Sequence, residues 1–169
     1  MNNKGFTLLE LLMSATIFSI VCVVILGVFH IGMNSWNFIS VQSSLAGEAR
    51  TGIERMSKEL RTSKLSNVDS SSSTQLRFKV PTAVDTSTGV ISAWSNWIRY
   101  SLGGVNNNQL LRTDEGTNVS TVYANNVTTV QFTANSNPST ITMSLTSQKT
   151  ATNGVLIPVT LSGTVDLRN

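Results

Sequence analysis

From Leu11 to Met33 the chain runs for 23 residues without a lysine, arginine, aspartate or glutamate. Coiled as an α-helix, that stretch rises about 35 Å, against roughly 30 Å for the hydrocarbon core of a bilayer. It is read as a membrane-spanning helix. A cleaved secretory signal is the nearest rival, because Ser44-Leu45-Ala46 has the small-x-small form of a cleavage site. The apolar part of such a signal spans only about 7–15 residues, and Ala46 lies well beyond the end of this run. A plain signal anchor fits the length, with Lys4 as its positive cytoplasmic flank. The charge rule gives that orientation little weight, since five basic residues from Arg50 to Lys64 follow on the other side.

A plain anchor leaves Glu10 unexplained. A carboxylate in an apolar helix carries a cost that reaches about 3 kcal/mol at the centre and falls toward the ends, so it calls for a partner. The residues Lys4-Gly5-Phe6-Thr7-Leu8-Leu9-Glu10-Leu11 resemble the processing site of type IV prepilins and type II secretion pseudopilins. The resemblance implies cleavage after Gly5 by a prepilin peptidase, N-methylation of Phe6 as the new first residue, and an assembly role for Glu10. The spacing also has a chemistry of its own. An amine at Phe6 lies within about 6 Å of axial rise from Glu10, and among parallel, staggered copies each amine can reach a neighbour's carboxylate in a low dielectric. The alternative is a helix-terminal Glu10 stabilised by the macrodipole and the headgroup region.

Beyond the apolar run, Leu45, Ala49, Ile53, Met56 and Leu60 recur at helical spacing. The helix is therefore expected to continue to about residue 64, with Gly27, Gly32, Gly47 and Gly52 as places where it can bend. Its other face carries Glu48, Arg50, Glu54, Arg55, Lys58, Glu59 and Arg61, read as a solvated face with Glu54 and Lys58 in the favourable i,i+4 order. Ser70–Ser73 reads as a linker. Alternation then predicts strands around Leu76–Val80, Trp97–Leu102, Gln109–Thr113, Val127–Ala134, Thr140–Thr146 and Val155–Arg168, the last broken near Ser162-Gly163. Asn106-Asn107-Asn108, Glu115-Gly116, Asn135–Ser139 and Thr152-Asn153-Gly154 punctuate them. The expectation is an α+β fold: a leader over 1–5, a helix over 6–64 whose residues 11–33 span the membrane, and a head over 65–169. One antiparallel sheet of about five to seven strands would lie on the Leu45–Leu60 stripe.

The segment Arg50-Thr51-Gly52-Ile53-Glu54-Arg55-Met56-Ser57-Lys58-Glu59-Leu60-Arg61 is similar to the one that J-type minor pseudopilins and W-type minor pilins carry before their heads. Gln109-Leu110-Leu111-Arg112, Val127 through Phe132 and Val165-Asp166-Leu167-Arg168-Asn169 follow in the order expected of that group. The resemblance implies the type IV pilin fold and a non-enzymatic structural subunit, single-pass in the inner membrane with its head outside the cytoplasm. Its partners would be inner-membrane lipid, the prepilin peptidase, other minor subunits and the major subunit. It would prime or cap a secretion pseudopilus or a pilus. Two alternatives stay open: a competence or adhesion pilus subunit that binds DNA or a surface, and a membrane-anchored exterior module that never polymerises.

Composition narrows the rest. Charged residues are 12% of the chain and the formal charge is +3, with no dense basic run, so nucleic-acid binding is not predicted. Cys22 has no partner cysteine and reads as a small apolar residue. One histidine, no Cys-x-x-Cys, no phosphate-binding loop and no Gly-x-Ser-x-Gly leave catalysis, cofactors and metals without a motif. Asp114-Glu115 is weighed as a calcium loop and read as a solvated turn, and His30 as a neutral residue near the outer end of the span. Trp94 and Trp97 are read as core residues against Tyr100. Asn118-Val-Ser and Asn126-Val-Thr match glycosylation acceptors by chance.

Overall fold

The computed structural model describes residues 7–136 and 139–168. Its first element is a helix, α1 (Leu8–Leu60), unbroken at all four of its glycines. The chain divides into two compact units, one ending at Ser40 and one starting at Val41, so α1 contributes to both. In the first unit no described side chain is buried, and a window of α1 reaches a mean hydropathy of 2.7. Three of its hydroxyls bond back to the helix's own carbonyls. Ser14 donates to the Glu10 carbonyl at 2.8 Å, Ser19 to Ala15 at 2.8 Å and Thr16 to Met13 at 2.8 Å. Such bonds reduce the cost of placing a hydroxyl where no water can reach it.

In the second unit α1 buries Leu45, Ala49, Gly52, Ile53, Met56 and Leu60, the stripe that the spacing predicts with Gly52 added. After α1 come β1 (Val68–Ser72), β2 (Gln75–Phe78), β3 (Pro81–Val84), β4 (Ile91–Trp94) and β5 (Ile98–Gly103). They are followed by β6 (Gln109–Asp114), β7 (Val119–Ala124), β8 (Val127–Ser136), β9 (Ser139–Thr150) and β10 (Leu156–Asp166). A long N-terminal helix followed by antiparallel sheets is the α+β class expected.

The sheet arrangement corrects the expectation. There are three antiparallel sheets among the described residues, ordered β1-β2-β5-β6-β7, β10-β9-β8 and β3-β4. The switch from the first to the second happens at Asn125-Asn126. Asn126 takes a left-handed φ of 56°, and instead of folding back on β7 the chain leaves it. Val127 N–H then bonds to the Asn108 carbonyl at 2.8 Å and Phe132 N–H to Ser73 at 2.7 Å, so β8 closes against the turns of the first sheet. Ser70–Ser72 belong to β1, because Ser72 pairs with Gln75 across a turn at Ser73-Thr74. β10 runs unbroken through Ser162-Gly163.

Register explains the core. Leu76 stands opposite Tyr100, which stands opposite Arg112, while Phe78 pairs with Ile98. These residues face α1, and all but Arg112 are buried. From the second sheet Val130, Phe132, Ile141, Met143 and Leu145 complete one cluster with Met56 and Leu60. Fully burying such a side chain stabilises by about 1.5–3 kcal/mol. β10 approaches α1 closely at Gly163, where an added Cβ would lie 2.8 Å from Ile53 Cγ2.

Candidate functional site

The first unit presents a polar constellation at the start of α1. Thr7 caps the helix: Glu10 N–H donates to Thr7 Oγ1 at 3.2 Å, and Glu10 Oε2 accepts from both Thr7 N–H and Thr7 O–H at 3.0 Å. This is a reciprocal capping box, which satisfies helix-end donors that lipid cannot. The Thr7-x-x-Glu10 spacing carried that signal and the sequence reading missed it. Oε1 of Glu10 has no partner among the described residues, so the cap leaves one carboxylate oxygen for another cation. Gly5 and Phe6 lie outside the described residues. Further along, the His30 ring meets the Asn34 amide at 3.2 Å.

In the second unit the polar centre is Glu59, which the sequence had assigned to solvent. Its carboxylate accepts from Tyr100 O–H at 2.8 Å, from Tyr123 O–H at 2.7 Å and from Arg112 Nε at 3.0 Å. A β-bulge builds the arrangement. Leu110 pairs with Ala124 and Leu111 with Val122, so Tyr123 is the extra residue on β7 and its phenol reaches α1. Tyr100 stacks on Phe78 at 5.1 Å and tilts against Tyr123 at 5.6 Å. Burial and then the Glu59 carboxylate push the Tyr100 phenol far above its ordinary value, and the same two causes push Tyr123 up to about 12. Burial works against the Arg112 charge, but Glu59 outweighs it and holds the guanidinium above its usual value. Four polar groups thus fasten the end of α1 to the first sheet.

The outward side of the first sheet carries the other ionic cluster. Asp69, Arg77 and Arg99 stand in one cross-strand row. Two adjacent arginines would repel, and Glu115 sits over both, accepting from Arg77 Nε at 3.1 Å and pairing with Arg99 at 3.7 Å. Asp114 accepts from the Gly116 and Thr117 amides at 2.9 and 3.3 Å. Both carboxylates of the weighed calcium loop are therefore engaged, and no group of metal-binding side chains is found among the described residues. Trp97 does not pack on Tyr100: it sits just before β5, on the opposite side of the chain from Ile98 and Tyr100. Instead it lies under Lys79 at 4.8 Å and Arg77 at 5.1 Å. Trp94 stands across from Pro81 in the separate β3-β4 hairpin.

Residues 1–28 match the family model described as the prokaryotic N-terminal methylation motif. No curated protein and no solved structure matches the chain. The matched segment contains Gly5, Phe6 and Glu10, supports a type IV pilin-like reading, and lies on a helix long and apolar enough to cross a membrane.

Proposed function

We propose that this chain is a minor pilin or pseudopilin. It is cut after Gly5 by a prepilin peptidase, methylated at Phe6, and drawn into a filament with Glu10 pairing to the amine of a neighbouring subunit. The methylation motif over residues 1–28 carries the reading. Glu10 supports it through its position: the capping box holds the side chain at the helix end while Oε1 stays free for an amine. The head supports it by what it offers, a folded module fastened to the last turns of the helix through Glu59. Within that reading, the similarity of Arg50–Arg61 to the J-type and W-type group favours a subunit that primes or caps a type II secretion pseudopilus or a type IV pilus. The inner membrane would hold the precursor, with the head outside the cytoplasm.

The test is the mass of the N-terminal peptide from membrane-extracted protein, in cells with and without prepilin peptidase. The mature chain is expected to begin at N-methyl-Phe6 only when the peptidase is present. A chain that begins at Met1 in both strains, or after Ala46, overturns the proposal and leaves a plain anchor or a cleaved signal.

A further inference from the structure

The charged face of α1 looks balanced in sequence, but the structure divides its charges unevenly. Glu54 is held by Arg50 at 2.8 Å, and Glu59 is turned inward onto Arg112 and two phenols. Arg55 and Lys58 are left without an acidic partner among the described residues. Both line one cleft of about 470 Å³, together with Thr62, Tyr123, Val80 and Pro81. Arg55 lies over the Tyr123 ring at 5.7 Å, which orients its guanidinium without neutralising it. Arg112 and Glu59 also line the cleft, and Glu59 balances only the Arg112 charge. The cleft therefore offers two unmatched cations at the open side of an aromatic and aliphatic wall.

We propose that this cleft is a docking site for a carboxylate-bearing segment of a neighbouring filament subunit, an Asp or Glu beside an apolar side chain. The proposal rests on the filament reading above. Charge complementarity chooses an acid, since a basic or neutral segment would leave Arg55 and Lys58 unpaired under a covering surface. The wall of Val80, Pro81 and Tyr123 chooses a protein segment over a lipid headgroup or a nucleic-acid backbone, because it accepts an apolar side chain next to the charge. The cleft also continues onto the β3-β4 hairpin, whose first residue is Pro81. That hairpin exposes Val84 and Val90 and has no basic residue, so an apolar partner surface extends naturally over it.

The experiment places a photoreactive amino acid at Thr62 of the full-length protein in cells, and reads the crosslinked peptide by mass spectrometry. The N-terminal mass is measured on the same samples. The expected product is a peptide of another filament subunit that contains an Asp or Glu. R55E/K58E should reduce its yield at least tenfold, and changing the partner acid to Lys should restore it in that background. R55Q/K58Q gives a milder form with the same direction should the reversal variant lose thermal stability. An unchanged yield in both double variants overturns the proposal, as does the absence of a crosslink. A crosslink only to lipid, to nucleic acid or to a peptide without an acid overturns it equally. A normal N-methyl-Phe6 alongside any of those results sinks the docking site alone, whereas an unprocessed chain sinks the filament reading itself.

Discussion

Replacing Glu59 with Ala removes the acceptor shared by two phenols and a guanidinium. Tyr100 is fully buried, and its orphaned hydroxyl costs about 1–3 kcal/mol. The Arg112 and Glu59 side chains keep 24% and 26% of their exposure. Water therefore screens their pairing, and its contribution is held near about 1 kcal/mol. With the Tyr123 bond added at about 1 kcal/mol, the expected destabilisation is roughly 3–5 kcal/mol. In a unit of this size about 1 kcal/mol moves Tm by roughly 3–5 °C, so the variant should melt about 10–25 °C lower. Glu59→Gln keeps one carbonyl acceptor but turns an amide against Arg112, and should fall about halfway. Thermal and urea unfolding of a chain starting near Asn34, followed by circular dichroism, reads all of these. An Ala variant within about 1 kcal/mol of the parent refutes the reasoning, because the cluster would then hold nothing together.

Alkaline unfolding of the same protein should show a second signature. Tyr123 ionises at about 12 in the fold and near 10 in an unfolded chain. Its contribution is complete below pH 10 and is lost as pH rises toward 12, and Tyr123→Phe should flatten that fall. Gly163→Val should cost about 1–3 kcal/mol in the same unfolding assay, because its Cβ meets Ile53 Cγ2 at 2.8 Å; a neutral result would mean α1 can retreat from β10. A chain starting near Asn34 should be soluble and folded, whereas one starting at Ser66 should be much less stable, having lost Leu45–Leu60; equal melting points would show that this stripe is not part of the core. Glu10→Gln should still be cut after Gly5 but enter filaments less, scored by mass and by the sheared filament fraction. Thr7→Ala, which loses the cap and not the charge, separates capping from pairing: equal assembly defects in the two would assign Glu10 to the cap alone.

The stripe Leu45–Leu60 was legible because a helix repeats every 3.6 residues and one face of it is apolar. Glu59 was not. It flanks that stripe, three residues from Met56 and one from Leu60, and its inward turn depends on Arg112 and Tyr123 arriving from strands far along the chain. β7 escaped notice because Val119-Ser-Thr-Val-Tyr-Ala alternates poorly and its bulge shifts the phase by one residue. The serines of β1 read as a linker because their strand is an edge with little to bury. Trp97 was misplaced by treating proximity in sequence as proximity in space: three residues along an extended chain reverse the face. The separation of β8-β9-β10 from the first sheet had no local signal, since Asn125-Asn126 looks like any hairpin turn and the outcome depends on what β8 finds beside it.

β2 and β5 pair directly, with Phe78 opposite Ile98, so the residues between them leave the sheet and return to the same place. The neck of that excursion is closed by Val80 N–H to Ser95 Oγ at 3.1 Å and Ser95 N–H to Val80 carbonyl at 2.8 Å. Beyond it stands β3-β4, a hairpin tied back at its tip by Asp85 and exposed over most of its length. Changing the length of a loop closed in this way costs little, about 0.6 kcal/mol per doubling. A peptide tag inserted between Thr88 and Gly89 would then leave the strand register of the five-stranded sheet undisturbed, and its effect on filament entry would read out whether a partner surface covers this hairpin.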